Sequence, residues 1–159
     1  MIKLHKIIAS GLGFGFSPIA PGTAGSILGI GLLYAVNYLL NYLGYQELTI
    51  IFINLFAIIL MTFIGVYSIK VVHRTWKHDA SEIVIDEIVG VWIAVFALPF
   101  QWQFYLAAFV LFRLFDIYKP LFIRKIDKMD GNWSVMIDDV LAGVYANLIL
   151  QLVVFSKIF

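Results

Sequence analysis

The chain is expected to be an all-α integral membrane protein, a helical bundle of about five membrane helices with a short N-terminal helix. Three observations predict this. Of its 159 residues, 62% are hydrophobic and only 13% charged, against about 45–50% and about 25% in soluble domains. Several apolar stretches approach the roughly 20 residues that a membrane-spanning helix requires. The basic residues also fall almost entirely on one side of the resulting topology, as expected for short cytoplasmic loops.

Taken in order, residues 1–16 begin with Lys3 and Lys6 and an apolar run, loosely imitating a signal peptide. Gly11, Gly13 and Gly15 interrupt that run, and the only small residue suited to cleavage, Ala20, precedes Pro21. The segment is therefore expected to stay with the chain as a short helix and a glycine-rich approach. Residues 24–42 and 48–69 each span, and the tight 43–47 connection makes them an antiparallel hairpin. The stretch 83–114 is too long for one crossing and is broken at Pro99, Phe100, Gln101, Trp102 and Gln103. Proline forfeits a backbone hydrogen bond and tryptophan favours the bilayer interface, so two helices with an interfacial turn are predicted. Residues 138–155 form the last crossing. With five crossings, Lys3, Lys6, Lys70, Arg74, Lys77, Lys119, Arg124, Lys125 and Lys128 share one side and only Lys157 lies opposite. No internal repeat or linker divides residues 1–159, which read as a single domain.

Composition also excludes whole classes of function. Eleven basic residues against ten acidic ones leave no electrostatic basis for a nucleic-acid partner. The absence of cysteine removes disulfides, thiolate metal sites and every cysteine-nucleophile mechanism.

The chemistry gathers at the basic side. Asp79, Glu82, Asp86, Glu87, Asp116, Asp138 and Asp139 all lie at that end of the predicted helices. On a continuing helix, Asp79, Glu82 and Asp86 would share one face and repel, a strain that a bound cation relieves. Charged groups at the edge of hydrocarbon are expensive and usually functional, and oxygen-only carboxylate clusters suit hard cations such as magnesium or manganese. Asp138 and Asp139 have an equally good structural explanation, because they open the last helix, where acidic residues are stabilised by the macrodipole. Arg113, Asp116 and Lys119 are three apart, either a self-satisfied ion ladder or a phosphate site beside a metal-bound carboxylate. Residues 11–26, with five glycines, Thr23 and Ser26, expose amides at a helix start, where anions bind, although they lack the lysine of a P-loop. His73 and His78 fall within reach of the site but are better read as interfacial.

Four blocks, GFGFSPIAPGTAGS (13–26), EIVIDEIVG (82–90), FRLFDIYKP (112–120) and MIDDVLAGVYAN (136–147), occur in an order that resembles the bacterial phosphatidylglycerophosphatase A family. The resemblance extends over about residues 7–147. It departs at Phe122 and Ala80, where the family often has proline. It implies hydrolysis of the phosphate monoester of phosphatidylglycerophosphate to phosphatidylglycerol and inorganic phosphate, with Mg2+, at the cytoplasmic face of the bacterial inner membrane. The substrate and bilayer lipids would be its partners, with no obligate protein partner evident. Position by position, the family's acidic residues fall on Asp86, Glu87, Asp116, Asp138 and Asp139, expected to hold metal, with Asp86, Glu87 and Asp138 also expected to be catalytic. Thr23, Ser26, Arg113 and Lys119 are expected to bind the substrate phosphate. The rival reading is a small ion or proton transporter, favoured if polar residues such as Asn37, Asn54, Thr62 and Asn147 continue a path to the far side.

Overall fold

The computed structural model describes residues 2–77, 80–127, 129 and 131–156. His78, Asp79, Lys128 and Lys157 lie outside the described residues. Among those described there are seven α-helices and no strand: α1 (Ile2–Ala9), α2 (Pro21–Tyr42), α3 (Glu47–Val72), α4 (Ile85–Val95), α5 (Trp102–Tyr118), α6 (Ile123–Asp127) and α7 (Ser134–Phe155), with a 3-10 turn at Phe14–Phe16.

Three of these helices, α2, α3 and α7, are long and apolar enough to cross a membrane, which corrects the expected five. The reason lies in the 83–114 stretch. Helix does not begin until Ile85, and the break runs from Phe96 to Gln101. At about 1.5 Å per residue, the 11 residues of α4 extend about 16 Å and the 17 of α5 about 25 Å, short of a hydrocarbon core about 30 Å thick. The two still form a helical hairpin, so the chain returns to the side it left. The outward faces of α3 and α7 expose Phe52, Phe56, Phe63, Leu148 and Leu152, and with the long apolar helices this makes it a membrane protein.

A second correction concerns how helices start. The last helix begins at Ser134, so Asp138 and Asp139 lie in its second turn and do not cap it. Glu82 stands in a turn ahead of α4, so it does not share a helical face with Asp86. Lys119 ends α5 in a left-handed conformation, φ 45°, and so leaves the Arg113–Asp116 face that the three-residue spacing suggested.

The close contact at the centre is between α4 and α7. A Cβ added at Gly143 would lie 2.3 Å from the Gly90 carbonyl oxygen, and one at Gly90 would lie 2.8 Å from the Asp139 carbonyl oxygen. Small residues let membrane helices approach to backbone contact, and here no larger side chain fits. Around the crossing, Val91, Ala94, Val95, Phe112, Ala142 and Ala146 form a buried apolar core. The α4 break is satisfied from α7: Asn147 Nδ2 donates to the carbonyls of Ala94 (3.2 Å) and Phe96 (2.7 Å), and Gln151 Nε2 to those of Phe96 and Ala97 (3.2 Å each). Irregular backbone at membrane depth is tolerated where the protein itself supplies such partners.

At the other edge, α1 lies against α3, with His5 Nδ1 3.1 Å from Ser68 Oγ and its ring edge-on to Tyr67. The Val84 amide donates to the Ala9 carbonyl at 2.8 Å, and Trp92 Nε1 donates to the Gly29 carbonyl at 2.7 Å. These bonds bring the glycine-rich approach and the first turns of α2 alongside the start of α4.

Two outcomes follow for stability. Gly143→Val should overpack the crossing and lower stability by about 1–3 kcal/mol, whereas Gly31→Ala, whose Cβ meets nothing within 4 Å, should be neutral. Thermal unfolding in detergent measures both, and equal midpoints would contradict the crossing. Asn147→Leu should destabilise by about 1–3 kcal/mol, because it removes the side-chain donor to the Ala94 carbonyl and the shorter of the two to the Phe96 carbonyl; an unchanged midpoint would show that the break needs no such support.

Candidate active site

Asp86 and Glu87 belong to the first turn of α4, and Asp139 to the second turn of α7. Each aspartate lies four residues before the glycine of the crossing, Asp86 before Gly90 and Asp139 before Gly143. Residues four apart share a helical face, so the face that presents a glycine to the partner helix also presents an aspartate one turn nearer the start of its own helix. Since both helices start from the same end, the crossing brings the acids together. Asp86, Glu87 and Asp139 each offer a carboxylate oxygen within 4.8 Å of the others, with Asp86 and Asp139 only 6% and 4% exposed.

Among the described residues none of these three acids has an ion pair. Burying like charges without a counter-charge is strongly unfavourable. The donor set is all oxygen, and Glu87 Oε2 and Asp138 Oδ1 are buried without a hydrogen-bond partner. The arrangement therefore fits a hard divalent cation, which oxygen ligands favour.

The basic residues form the rim. Arg113, on α5, is paired with Asp116 one turn on, and its Nη1 lies 3.5 Å from Ser26 Oγ. Its Nε is buried without a partner, a donor left for an anion. Lys119 Nζ donates to Asp138 Oδ2 at 2.7 Å and is also paired with Asp127. Burial works against the Lys119 ammonium, but the hydrogen bonds and charges of Asp127 and Asp138 outweigh it and hold its pKa above the ordinary lysine value. It therefore stays charged.

The glycine-rich segment closes the remaining side. A Cβ at Gly22 would lie 2.2 Å from Glu87 Oε1 and 3.2 Å from Arg113 Nη1, so the start of α2 lies directly on both groups. Pro21 occupies the first turn and no side chain caps it. Ser26 is fully buried and donates to the Gly22 carbonyl at 2.8 Å, while Thr23 is half-buried in the same turn.

Of the residues singled out by sequence, Asp86, Glu87 and Asp139 converge as one cluster. Asp116 and Asp138 are engaged by Arg113 and Lys119, and Ser26 meets Arg113. His73 is turned to Asn132, 2.7 Å from its Nδ1. Sequence reasoning missed Gly22, Gly90, Gly143 and Asp127. The signals were there, because each glycine falls within a quoted block, two of them four residues after an aspartate, and Asp127 is an acid within a basic loop. Of the polar residues that would have continued a transport path, Thr62 donates to its own helix and Asn147 to the α4 break. Asn37 and Asn54 line a separate cavity of about 290 Å³ near the α2–α3 and α4–α5 turns. Buried Val91, Ala94, Val95 and Phe112 lie between that end and the acids.

Known proteins match the chain along most of its length. Residues 7–154 match the model of the family described as Phosphatidylglycerophosphatase A. The chain is 42% identical over 150 residues to a Bacteroides thetaiotaomicron protein that carries the provisional name phosphatidylinositol-3-phosphatase, covering 92% of this chain and 91% of that one. It is 39% identical over 153 residues to phosphatidylglycerophosphatase A of Escherichia coli K12, covering 92% and 81%, and 40% identical over 149 residues to that of Haemophilus influenzae, covering 91% and 85%. No solved structure matches. A match across nearly the whole chain, including all four blocks that build the acidic cluster and its basic rim, establishes that this chain belongs to the phosphatidylglycerophosphatase A family.

Proposed function

We propose that the protein hydrolyses the phosphate monoester of phosphatidylglycerophosphate, yielding phosphatidylglycerol and inorganic phosphate, at the cytoplasmic face of the bacterial inner membrane. The observation that carries this reading is the buried trio Asp86, Glu87 and Asp139, without a basic partner of its own among the described residues yet bordered by Arg113 and Lys119. Such a site joins a cation to a phosphate. The names of the Escherichia coli and Haemophilus influenzae relatives support the substrate.

Asp86, Glu87 and Asp139 would hold magnesium, with Asp116 and Asp138 completing the acidic surround. When bound there, such an ion would supply positive charge toward the phosphoryl group and acidify a nearby water. The chain's own groups do the rest. Arg113, steadied by Asp116, and Lys119, steadied by Asp127, receive the nonbridging oxygens of the phosphate. The uncapped first turn of α2, with Thr23 and Ser26, adds its amides to the cradle. Asp138, anchored through Oδ2 by Lys119, takes the proton of the attacking water on its unpartnered Oδ1. The apolar core beneath the site excludes bulk water, which strengthens each of these interactions.

The 42% identity to the protein provisionally named phosphatidylinositol-3-phosphatase favours one alternative substrate, a phosphoinositide carrying a 3-phosphate, processed by the same residues. Phosphate release by purified protein from each lipid, with and without magnesium, decides between them. Release from phosphatidylglycerophosphate should cease with chelator, return with magnesium, and fall at least about a thousandfold in Asp86→Asn. Substantial turnover by the folded variant would remove Asp86 from the site, and preference for the phosphoinositide would replace the substrate.

Orientation can be tested cleanly, because the chain has no cysteine. In spheroplasts an impermeant maleimide should label Tyr45→Cys, in the α2–α3 turn, and should reach Lys125→Cys, on α6, only after permeabilisation. The reverse pattern would put the site on the outer face.

A further inference from the structure

Between α2 and α5 runs a groove of about 410 Å³, walled by Ile27, Ile30, Tyr34, Tyr105 and Phe109 and notched at Gly31. We propose that it receives one acyl chain of the lipid substrate, an inference that rests on the lipid-phosphatase reading above.

The groove is continuous with the proposed phosphate site. Ile27 follows Ser26 directly on α2, and Phe109 lies one helical turn before Arg113 on α5, where Arg113 Nη1 and Ser26 Oγ are 3.5 Å apart. The head of the groove is therefore at the groups that bind the phosphate. Its foot is closed by aromatic rings: Tyr34 stacks on Phe100 with centroids 5.1 Å apart and meets Tyr105 edge-on at 5.0 Å. Asn37 Nδ2 fixes the Tyr105 hydroxyl at 2.7 Å. The seven steps from Ile27 to Tyr34 rise about 11 Å at about 1.5 Å per residue. That lies within one leaflet of a hydrocarbon core about 30 Å thick, and the groove follows the helices as a lipid tail does.

With about 410 Å³ of apolar space, the groove has room for a hydrocarbon chain lying along the helices. Gly31 opens the wall, since an added Cβ there meets nothing within 4 Å, unlike the glycines that seat α2 and α7. In a bilayer the chain gains little by exchanging lipid for protein, as both are apolar. The groove acts by orientation, holding the tail so that the headgroup phosphate falls between Arg113 and the carboxylates.

The test compares wild type with Gly31→Trp, whose indole would fill the notch, as full-length proteins in detergent. Phosphate release is followed from dioleoyl and dihexanoyl phosphatidylglycerophosphate. In parallel, phosphatidylglycerol bearing a diazirine on one acyl chain is photo-crosslinked and the adducts are mapped. The KM for the dioleoyl lipid should rise about tenfold relative to that for the dihexanoyl lipid, with kcat retained. Adducts should concentrate on α2 and α5 in wild type and disappear in the variant. An unchanged KM ratio, or adducts as frequent on the outer face of α3, would overturn the groove. If wild type hydrolyses neither lipid, the phosphatase reading falls, and the adduct map still decides whether an acyl chain occupies the groove. If Gly31→Trp does not fold, Gly31→Leu takes its place.

Discussion

The site depends on the backbone contact where α4 and α7 cross, between Gly90 and Gly143. A side chain on either glycine would separate the helices, and the Asp139 and Gly90 carbonyls are already within 3 Å of where the missing Cβ atoms would be. Because Asp86 and Asp139 stand four residues before these glycines, the separation of the acids follows from that of the helices. A contact made in apolar surroundings thus sets the geometry of a charged site one turn nearer the helix starts. Phe112, fully buried against Gly90, ties α5 to the same crossing and so places Arg113, the next residue.

Electrostatics divides the acidic residues by what holds them. Asp116 and Asp138 have basic partners, while Asp86, Glu87 and Asp139 have none among the described residues. In a low-dielectric setting an uncompensated carboxylate is costly, so the inner three are the ones whose burial calls for a cation. The outer two steady Arg113 and Lys119 at the rim of the cluster. Lys119 leaves α5 in a left-handed conformation, which turns its ammonium away from the Arg113–Asp116 face and toward Asp138 on α7 and Asp127 on α6. Two cations are thereby aimed at the same rim from different directions.

Much of this was legible along the chain. The short turn between α2 and α3, the return of α4 and α5, and the gathering of acids at the basic end all follow from apolar lengths, Pro99 and the lysine bias. Family blocks pointed to the residues now clustered. The number of spanning helices was less legible, because hydropathy runs continuously through residues 83–114 while the backbone does not. Where α4 stops is set by Asn147 and Gln151, which lie about 50 residues away and cap the carbonyls of Ala94, Phe96 and Ala97. The start of α7 was likewise hidden, since Ser134 to Ile137 are not acidic and Asp138 looks like a helix opening.

The helical class, the long apolar helices, the clustering of basic residues and the family are legible along the chain, because each is read from composition, period or a local ordered motif. Which acids meet, which of them are already paired, and the approach of Gly22 to Glu87 and Arg113 emerge on folding. Those facts depend on contacts between residues far apart in the chain. Their distances are set by how closely two backbones can approach, which no local pattern of side chains records.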